Sequence, residues 1–305
     1  MSPTQRIDVP SNSRPIIGVL SHELSTGMKY NLNVSHSSYI AASYVKFLEG
    51  AGARVVPIWI GKGKSYYKKV IYSLNGVLFP GGAAEFTDPD GYAEAGVYLY
   101  EYAIKMNEKG VYFPLWGTCL GMELMTFLAA GRREHRCDCW GYDQALPLTL
   151  KSDFQRSKLF ENVPESMLDI FMNKPVAAHY HQFCITERNM TYFGLDAEWK
   201  ILATAIDTQG LEFVSIIESR LYPFYAVMFH PEKNAYEWKP TKNIPHSSEA
   251  VAAMHYFGDF LVSEARKNSN SFPGKDAEND ALIYNYAPTY TGRKRSVFEQ
   301  CYFFD

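Results

Sequence analysis

The sequence predicts an α/β fold: a three-layer, doubly wound, mostly parallel sheet with helices on both faces. Three observations carry this expectation. Short β-branched runs alternate with stretches of helical periodicity from residue 14 to residue 130, the pattern of βαβ units. Several of those runs stop abruptly at glycine or proline, as strands do where the chain turns into a helix. The chain has 305 residues, 47% hydrophobic and 15% aromatic, enough to bury the core of a large α/β domain.

The elements follow in order. Residues 14–20 (RPIIGVL) form the first strand, and 38–48 (SYIAASYVKFL) have helical spacing and end at EGAG, a helix stop. Residues 54–60 (RVVPIWI) give a second strand and 65–74 a second helix. Residues 76–79 (GVLF) give a third strand, closed by Pro80-Gly81-Gly82. A long helix over 92–109, a strand over 111–116 and a helix over 120–130 complete the regular half. The stretch 131–169 opens with GRREHRCDCWGYDQ and reads as an excursion from the sheet. Strands at 201–206 and 213–218 flank a Gln209-Gly210 turn, and a strand at 225–229 (YAVMF) runs into His230-Pro231-Glu232. Residues 247–267 form an amphipathic helix with a capping start, SSEA. The organisation expected is a disordered segment over 1–13 and a single domain over 14–305, with an embellished C-terminal half and an aromatic tail.

Composition excludes several classes. The net charge is −3, with no basic stripe for nucleic acid, and Arg293-Lys294-Arg295 reads as a solvated loop. No apolar run reaches the roughly 18 residues of a membrane span. The opening MSPTQRIDVPSNSRP lacks the apolar core of a signal peptide. Five cysteines, at 119, 137, 139, 184 and 301, leave at least one thiol free in a monomer, which suits a reactive cysteine better than a disulfide framework. Asn33-Val34-Ser35 and Asn189-Met190-Thr191 are glycosylation sequons.

The chemistry concentrates at three expected strand ends: Pro80-Gly81-Gly82, Gly117–Gly121 and His230-Pro231-Glu232. Open parallel sheets place their ligands there. In WGTCLG, Cys119 stands between two glycines at a strand-to-helix elbow, where side chains at Gly117 or Gly121 would crowd the turn. The helix N-terminus favours a thiolate. The Leu120 amide, with Gly81 and Gly82, could receive an oxyanion. His230 can carry the proton, and Glu232, two residues on, can hold its imidazole.

At these residues the chain resembles γ-glutamyl hydrolase, a family of the class I glutamine amidotransferase-like superfamily. WGTCLG and HPEK belong to the wider superfamily; SYIAASYVK, NAYEW, ALIYNYAPTYTG and FEQCYFFD pick out the family. The resemblance implies Cys119 as nucleophile with His230 and Glu232. It also implies Glu123, His181 and Tyr44 as residues at or near the substrate, and Asn189 as a glycosylated position. It implies hydrolysis of folyl or antifolyl poly-γ-glutamates without cofactor or metal, lysosomal or secreted residence with the signal removed, and a homodimer.

Two features depart from the family pattern. Met228-Phe229 stand where the family carries Gln-Trp, so a substrate-binding amide is expected to be missing at Met228. The stretch GRREHRCDCWGYDQ also differs. Its Cys137 and Cys139, with His179 and His181, would permit a Cys2His2 zinc set, but ligands two apart on both sides are less usual than longer spacers, and no metal is expected. A glutaminase subunit, or a non-catalytic or substrate-switched descendant of the fold, are the alternative readings. The glutaminase would need a synthetase to receive its ammonia.

Overall fold

A computed structural model describes residues 11–32, 34–293 and 296–305. Most of the expected disordered segment, Asn33 of the first sequon and Lys294-Arg295 of the basic run lie outside the described residues. Asn12 is held: its N–H donates to Arg266 O at 2.8 Å and its Nδ2 to Asn268 O at 3.3 Å. The ordered chain therefore starts before residue 14.

The elements run β1 (Ile16–Leu20), β2 (His22–Glu23), α1 (Thr26–Leu32), β3 (Ser38–Ala41), α2 (Ala42–Gly50), β4 (Arg54–Ile58), α3 (Lys64–Ile71), β5 (Gly76–Phe79), α4 (Tyr92–Glu108), β6 (Leu115–Thr118) and α5 (Leu120–Ala129). They continue with β7 (Cys137–Leu146), β8 (Thr149–Leu150), α6 (Glu165–Asn173), β9 (Ala177–Cys184), α7 (Glu187–Tyr192), β10 (Trp199–Ile206), β11 (Glu212–Ser219) and β12 (Phe224–Val227). The last are α8 (Lys233–Tyr236), α9 (Ser248–Ala265), α10 (Lys275–Ala281), β13 (Thr289–Tyr290) and β14 (Gln300–Phe304).

The main sheet has the order β4-β1-β5-β6-β12-β11-β10-β8. Its first five strands are parallel and the last three pair antiparallel. Apolar side chains of both strand faces are buried, as a sheet covered on both sides requires. Against one face α3, α4 and α5 bury Tyr67, Leu99, Met122 and Met125; against the other α2 and α9 bury Tyr44, Leu48, Phe257 and Leu261. The mostly parallel sheet with helices on both sides is the fold class expected. Ser247 caps α9 by accepting from Ala250 N–H at 3.1 Å, one of the orphan donors of a helix start satisfied.

The strand expected over 111–116 is shifted: β6 begins only after Pro114 and runs to Thr118, and residues 111–114 are irregular. Two further parts differ from the sequence reading. The run expected to be helical from residue 38 starts as β3. It pairs antiparallel with β14, Ala41 against Cys301 and Ser38 against Phe304. Tyr39 and Ile40 suit a strand, and residues 300–304 supply the missing partner. The aromatic tail thus packs on its own chain. The excursion is a two-stranded ribbon of β7 and β9, with register shifts at 138/141 and 142/144.

Met228 falls on the strand-end bend, fully buried in the apolar cluster on the α3–α5 side. It does not line the cavity described below, which corrects its expected contact with substrate. Glutamine there would place an amide inside that apolar cluster rather than beside a ligand. Met228→Gln is expected to destabilise the fold by about 1–3 kcal/mol, without gain in kcat/KM. A thermal melt beside steady-state kinetics checks this; higher efficiency at unchanged Tm would return position 228 to the substrate surface.

Candidate active site

β6 ends at the elbow. Cys119 takes φ 52°, ψ −109°, a left-handed backbone outside the ordinary helical and extended wells. Such a conformation costs a non-glycine residue about 1–3 kcal/mol and persists only where the surroundings enforce it. They do so here. Cys119 N–H donates to Val227 O of β12 at 2.8 Å, and Cys119 O accepts from Glu123 N–H at 3.1 Å. A Cβ on Gly121 would stand 2.1 Å from Phe79 O, and one on Gly117 2.6 Å from the Gly121 backbone. The flanking glycines therefore let the elbow lie flat against β5.

Gly81 marks where the parts meet. A Cβ there would lie 2.6 Å from His230 Cε1, 2.9 Å from Tyr44 Oη and 3.1 Å from Cys119 Cβ. The β6 elbow, the turn after β5 and the segment after β12 thus converge on one point. His230 Nδ1 is 2.7 Å from Glu232 Oε1 and 3.3 Å from Tyr44 Oη. Its backbone N–H is fixed on Ala178 O of β9 at 2.9 Å. With Nδ1 engaged, Nε2 is the ring atom left to serve the thiol. Cys119, Gly81, Gly82 and His230 all line a cavity of about 560 Å³, a size typical of small-ligand sites.

Electrostatics set the resting state. Burial pushes the Glu232 carboxyl up, but the neighbouring imidazole and Lys233 outweigh it and hold it below its ordinary value. Burial pulls the His230 imidazole below its ordinary value in spite of Glu232. The pair rests as carboxylate and neutral imidazole. Burial, reinforced by the Glu123 carboxylate, raises the Cys119 thiol well above its ordinary range; the Leu120 amide and Lys233 oppose this but do not win. This corrects the expectation of a resting thiolate: the helix N-terminus is outweighed by desolvation. Activation then falls to His230 as base.

The remaining expected residues separate. Tyr44 is at the centre, but its Oη accepts the Gly81 N–H at 2.8 Å. The Gly81 amide is therefore taken and is corrected as an oxyanion donor, whereas Leu120 and Gly82 stay at the site. Glu123 is buried behind the elbow and does not line the cavity; its Oε2 pairs with Arg136 at 2.7 Å. That guanidinium lies over Phe86 and Phe183. A carboxylate so occupied is not placed to hold a glutamyl chain. His181 is buried outside the cavity, its ring facing the Cys139–Cys184 disulfide. Asn189 Nδ2 donates to His135 O at 2.8 Å, and its Oδ1 accepts from Thr186. The amide that a glycan would modify is thus engaged within the fold.

Several cavity residues were not singled out from the sequence. Lys233 is buried, with Nζ 5.1 Å from the Tyr180 ring centre and 4.9 Å from that of Phe298; it has no carboxylate partner among the described ion pairs. Its signal was present, as it directly follows His-Pro-Glu. Tyr142, Tyr180 and Lys242 line the same cavity and lay in stretches where no motif marked them.

His22 stacks on Tyr92 at 4.1 Å, with Nε2 3.3 Å from Pro80 O and no partner for Nδ1. Burial lowers its pKa to about 4 from 6.5. The unfolded chain therefore takes the proton first. Stability is full above about pH 6.5 and falls as the pH drops towards 4, by roughly 3 kcal/mol from this residue. Denaturant melts across this range are expected to show the loss, and His22→Phe, which keeps the stack, to reduce it by that amount, while the other histidines lowered by burial, His135, His179, His181 and His230, keep the rest.

The peptidase C26 family matches residues 15–232. The γ-glutamyl hydrolase of Bos taurus is 41% identical over 97% of this chain and 91% of its own length. That of Homo sapiens is 38% identical over 96% and 90%, and γ-glutamyl hydrolase B of Dictyostelium discoideum 36% over 96% and 84%. A solved structure from Thermoplasma acidophilum, described as a GMP synthase component, superposes with a TM-score of 0.51 at 13% identity, covering 83% of this chain and 94% of its own. At that identity the superposition speaks to fold alone.

Proposed function

This chain belongs to the peptidase C26 family of γ-glutamyl hydrolases, and from that membership we propose how its site cleaves the γ-glutamyl bond. The protein is a cysteine hydrolase of γ-glutamyl bonds. The observation that carries the residue assignment is the convergence of Cys119 and His230 on Gly81, with Glu232 on Nδ1 of the imidazole. His230 takes the thiol proton as Cys119 Sγ attacks the γ-carbonyl. The Leu120 and Gly82 amides receive the oxyanion. The imidazolium, stabilised by Glu232, returns the proton to the leaving amine, and water then hydrolyses a γ-glutamyl thioester. Tyr44 holds the Gly81 turn and the imidazole at one distance from each other.

The proposed substrates are folyl or antifolyl poly-γ-glutamates. Each γ-linked unit carries a free α-carboxylate, and Lys233 offers that group a cation between two rings. A charge-assisted contact of this kind contributes about 1.5–3 kcal/mol. Lys233→Met is thus expected to raise KM roughly 10-fold or more, with less change in kcat. Wild type should discriminate against an α-amidated γ-glutamyl substrate and the variant should not; equal discrimination by both would take the carboxylate away from Lys233.

Lysosomal or secreted residence and a homodimer belong to the same proposal. The Cys139–Cys184 disulfide suits an oxidising compartment, and the family resemblance is the support for the dimer. The deciding assay measures glutamate released from a pteroylpolyglutamate beside ammonia released from glutamine. Glutamate release by wild type, with ammonia release negligible, supports the hydrolase; the reverse would make the protein a glutaminase.

A further inference from the structure

Outside the cavity, the ribbon of β7 and β9 encloses a second cluster that the proposed hydrolysis does not use. Cys139, His181 and Cys184 are all buried, and their ligand atoms lie within 4.8 Å of one another. His181 Nδ1 is 3.3 Å from Cys139 Sγ and 3.4 Å from Cys184 Sγ. Its Nε2 is 3.0 Å from His179 Nδ1. We propose that Cys139, Cys184 and His181 form a zinc-class metal site that becomes available when the disulfide between the two cysteines is reduced.

The geometry argues for it in three steps. In a tetrahedral zinc centre the bond lengths place neighbouring sulfur and nitrogen ligands about 3.5 Å apart and two sulfurs about 3.8 Å apart. Both sulfur-to-Nδ1 distances already sit near that value, so only the two sulfurs must separate. Next, a disulfide offers no hydrogen to an imidazole. If His181 donates from Nε2 to His179, its Nδ1 lone pair faces two sulfurs with nothing to accept. If it donates from Nδ1, it meets only weak sulfur acceptors, and His179 must donate in turn. In both tautomers His179 Nε2 is buried without a partner. Binding a cation resolves the first arrangement: Nδ1 becomes a ligand, and Nε2–H to His179 becomes the outer hydrogen bond that orients ligating histidines. Finally, the ring is held in place. A Cβ on Gly141 would lie 2.1 Å from His181 Cε1, so the ligand is packed against the β7 backbone.

The set differs from the Cys2His2 pattern considered from spacing. Cys184 replaces Cys137 as ligand, and His179 stands behind His181. Cys137, paired with Cys184 across the ribbon and bonded to its carbonyl oxygen at 3.6 Å, is a candidate for the fourth position; water is the other.

Reduction by a phosphine breaks the S–S bond, with water supplying the oxygen of the phosphine oxide and the protons of two thiols. Zinc then takes two thiolate sulfurs and one imidazole lone pair and releases both thiol protons.

The test uses the full chain carrying Cys119→Ser, which removes the cavity thiol. One sample is oxidised and one phosphine-reduced, and both are stripped of metal and titrated with Co²⁺. The reduced sample should bind one equivalent with thiolate-to-cobalt charge transfer and tetrahedral ligand-field bands, displaced by Zn²⁺; the oxidised sample should show neither. Cys139→Ser and Cys184→Ser should each weaken binding at least ~10-fold and lower the charge transfer by a half if water is the fourth ligand or a third if Cys137 is, and His181→Ala should weaken it comparably. No thiolate band in the reduced sample, or binding equal in the oxidised one, would overturn the site. That comparison needs no cluster variant to fold, and because the readout is optical it stands whether or not the protein cleaves polyglutamates.

Discussion

Cys119→Ala is expected to reduce kcat/KM on a pteroyltriglutamate by more than ~10³-fold while leaving the melting curve at or above that of the wild type. The first half follows from the chemistry, because alanine cannot form the thioester. The second follows from the backbone. Cys119 holds φ 52° through contacts of its main chain with Val227 and Glu123, none of which needs the sulfur. Alanine leaves those bonds intact and removes a buried thiol beside Glu123. Mass spectrometry after a pulse of substrate should show an acyl adduct on wild type and none on the variant. Substantial residual turnover would move the nucleophile elsewhere. Cys184 cannot take the role in this state, because its sulfur is bonded to Cys139.

His230→Ala should be nearly as damaging, with a loss of about 10²–10⁴-fold, and Glu232→Gln less so. The ordering rests on what each group does to the proton. The thiol lies far on the protonated side, since burial raises it, so without a base almost no nucleophile exists near neutral pH. Glu232 acts through the ring: it fixes Nδ1 at 2.7 Å and stabilises the imidazolium. The same electrostatics give a pH profile. His230 must be neutral to act as base, and burial holds its pKa below the usual 6.5. kcat/KM should therefore rise to a plateau on the acid side of pH 6.5 and stay flat through neutrality. An acid limb centred above 6.5, or a Glu232→Gln enzyme as fast as wild type, would require another group in the third place.

The strands of the parallel half were legible because they are short apolar runs, several of them closed by glycine or proline, and burial on both faces leaves no polar alternation to confuse the pattern. The three strand ends carrying Gly81, Cys119 and His230 were legible for the same reason. What failed depends on partners far away in sequence. Residues 38–41 could not be recognised as a strand without residues 300–304. β7 hides its period of two behind its register shifts, and β9 carries His179, His181 and Cys184 inward, so its buried face reads as polar. Glu123 and Met228 failed at the level of side-chain direction. Proximity to Cys119 and His230 in sequence is real, but Glu123 is turned to Arg136 and Met228 into the apolar cluster, and neither lines the cavity.

The pairing of β3 with β14 has a consequence for when the enzyme becomes active. Ser37 bonds Phe304 across 267 positions, and β3 leads directly into the helix that carries Tyr44. Phe298 and Val297, just before β14, line the cavity. Residues near 300 leave the ribosome after every strand of the parallel half. Contacts of such long range are entropically costly to close and form late. The nascent chain can therefore carry an assembled elbow and imidazole and yet lack one wall of the cavity, so hydrolytic competence arrives only after synthesis has passed the tail. Vectorial translation thus works as a timer on the enzyme.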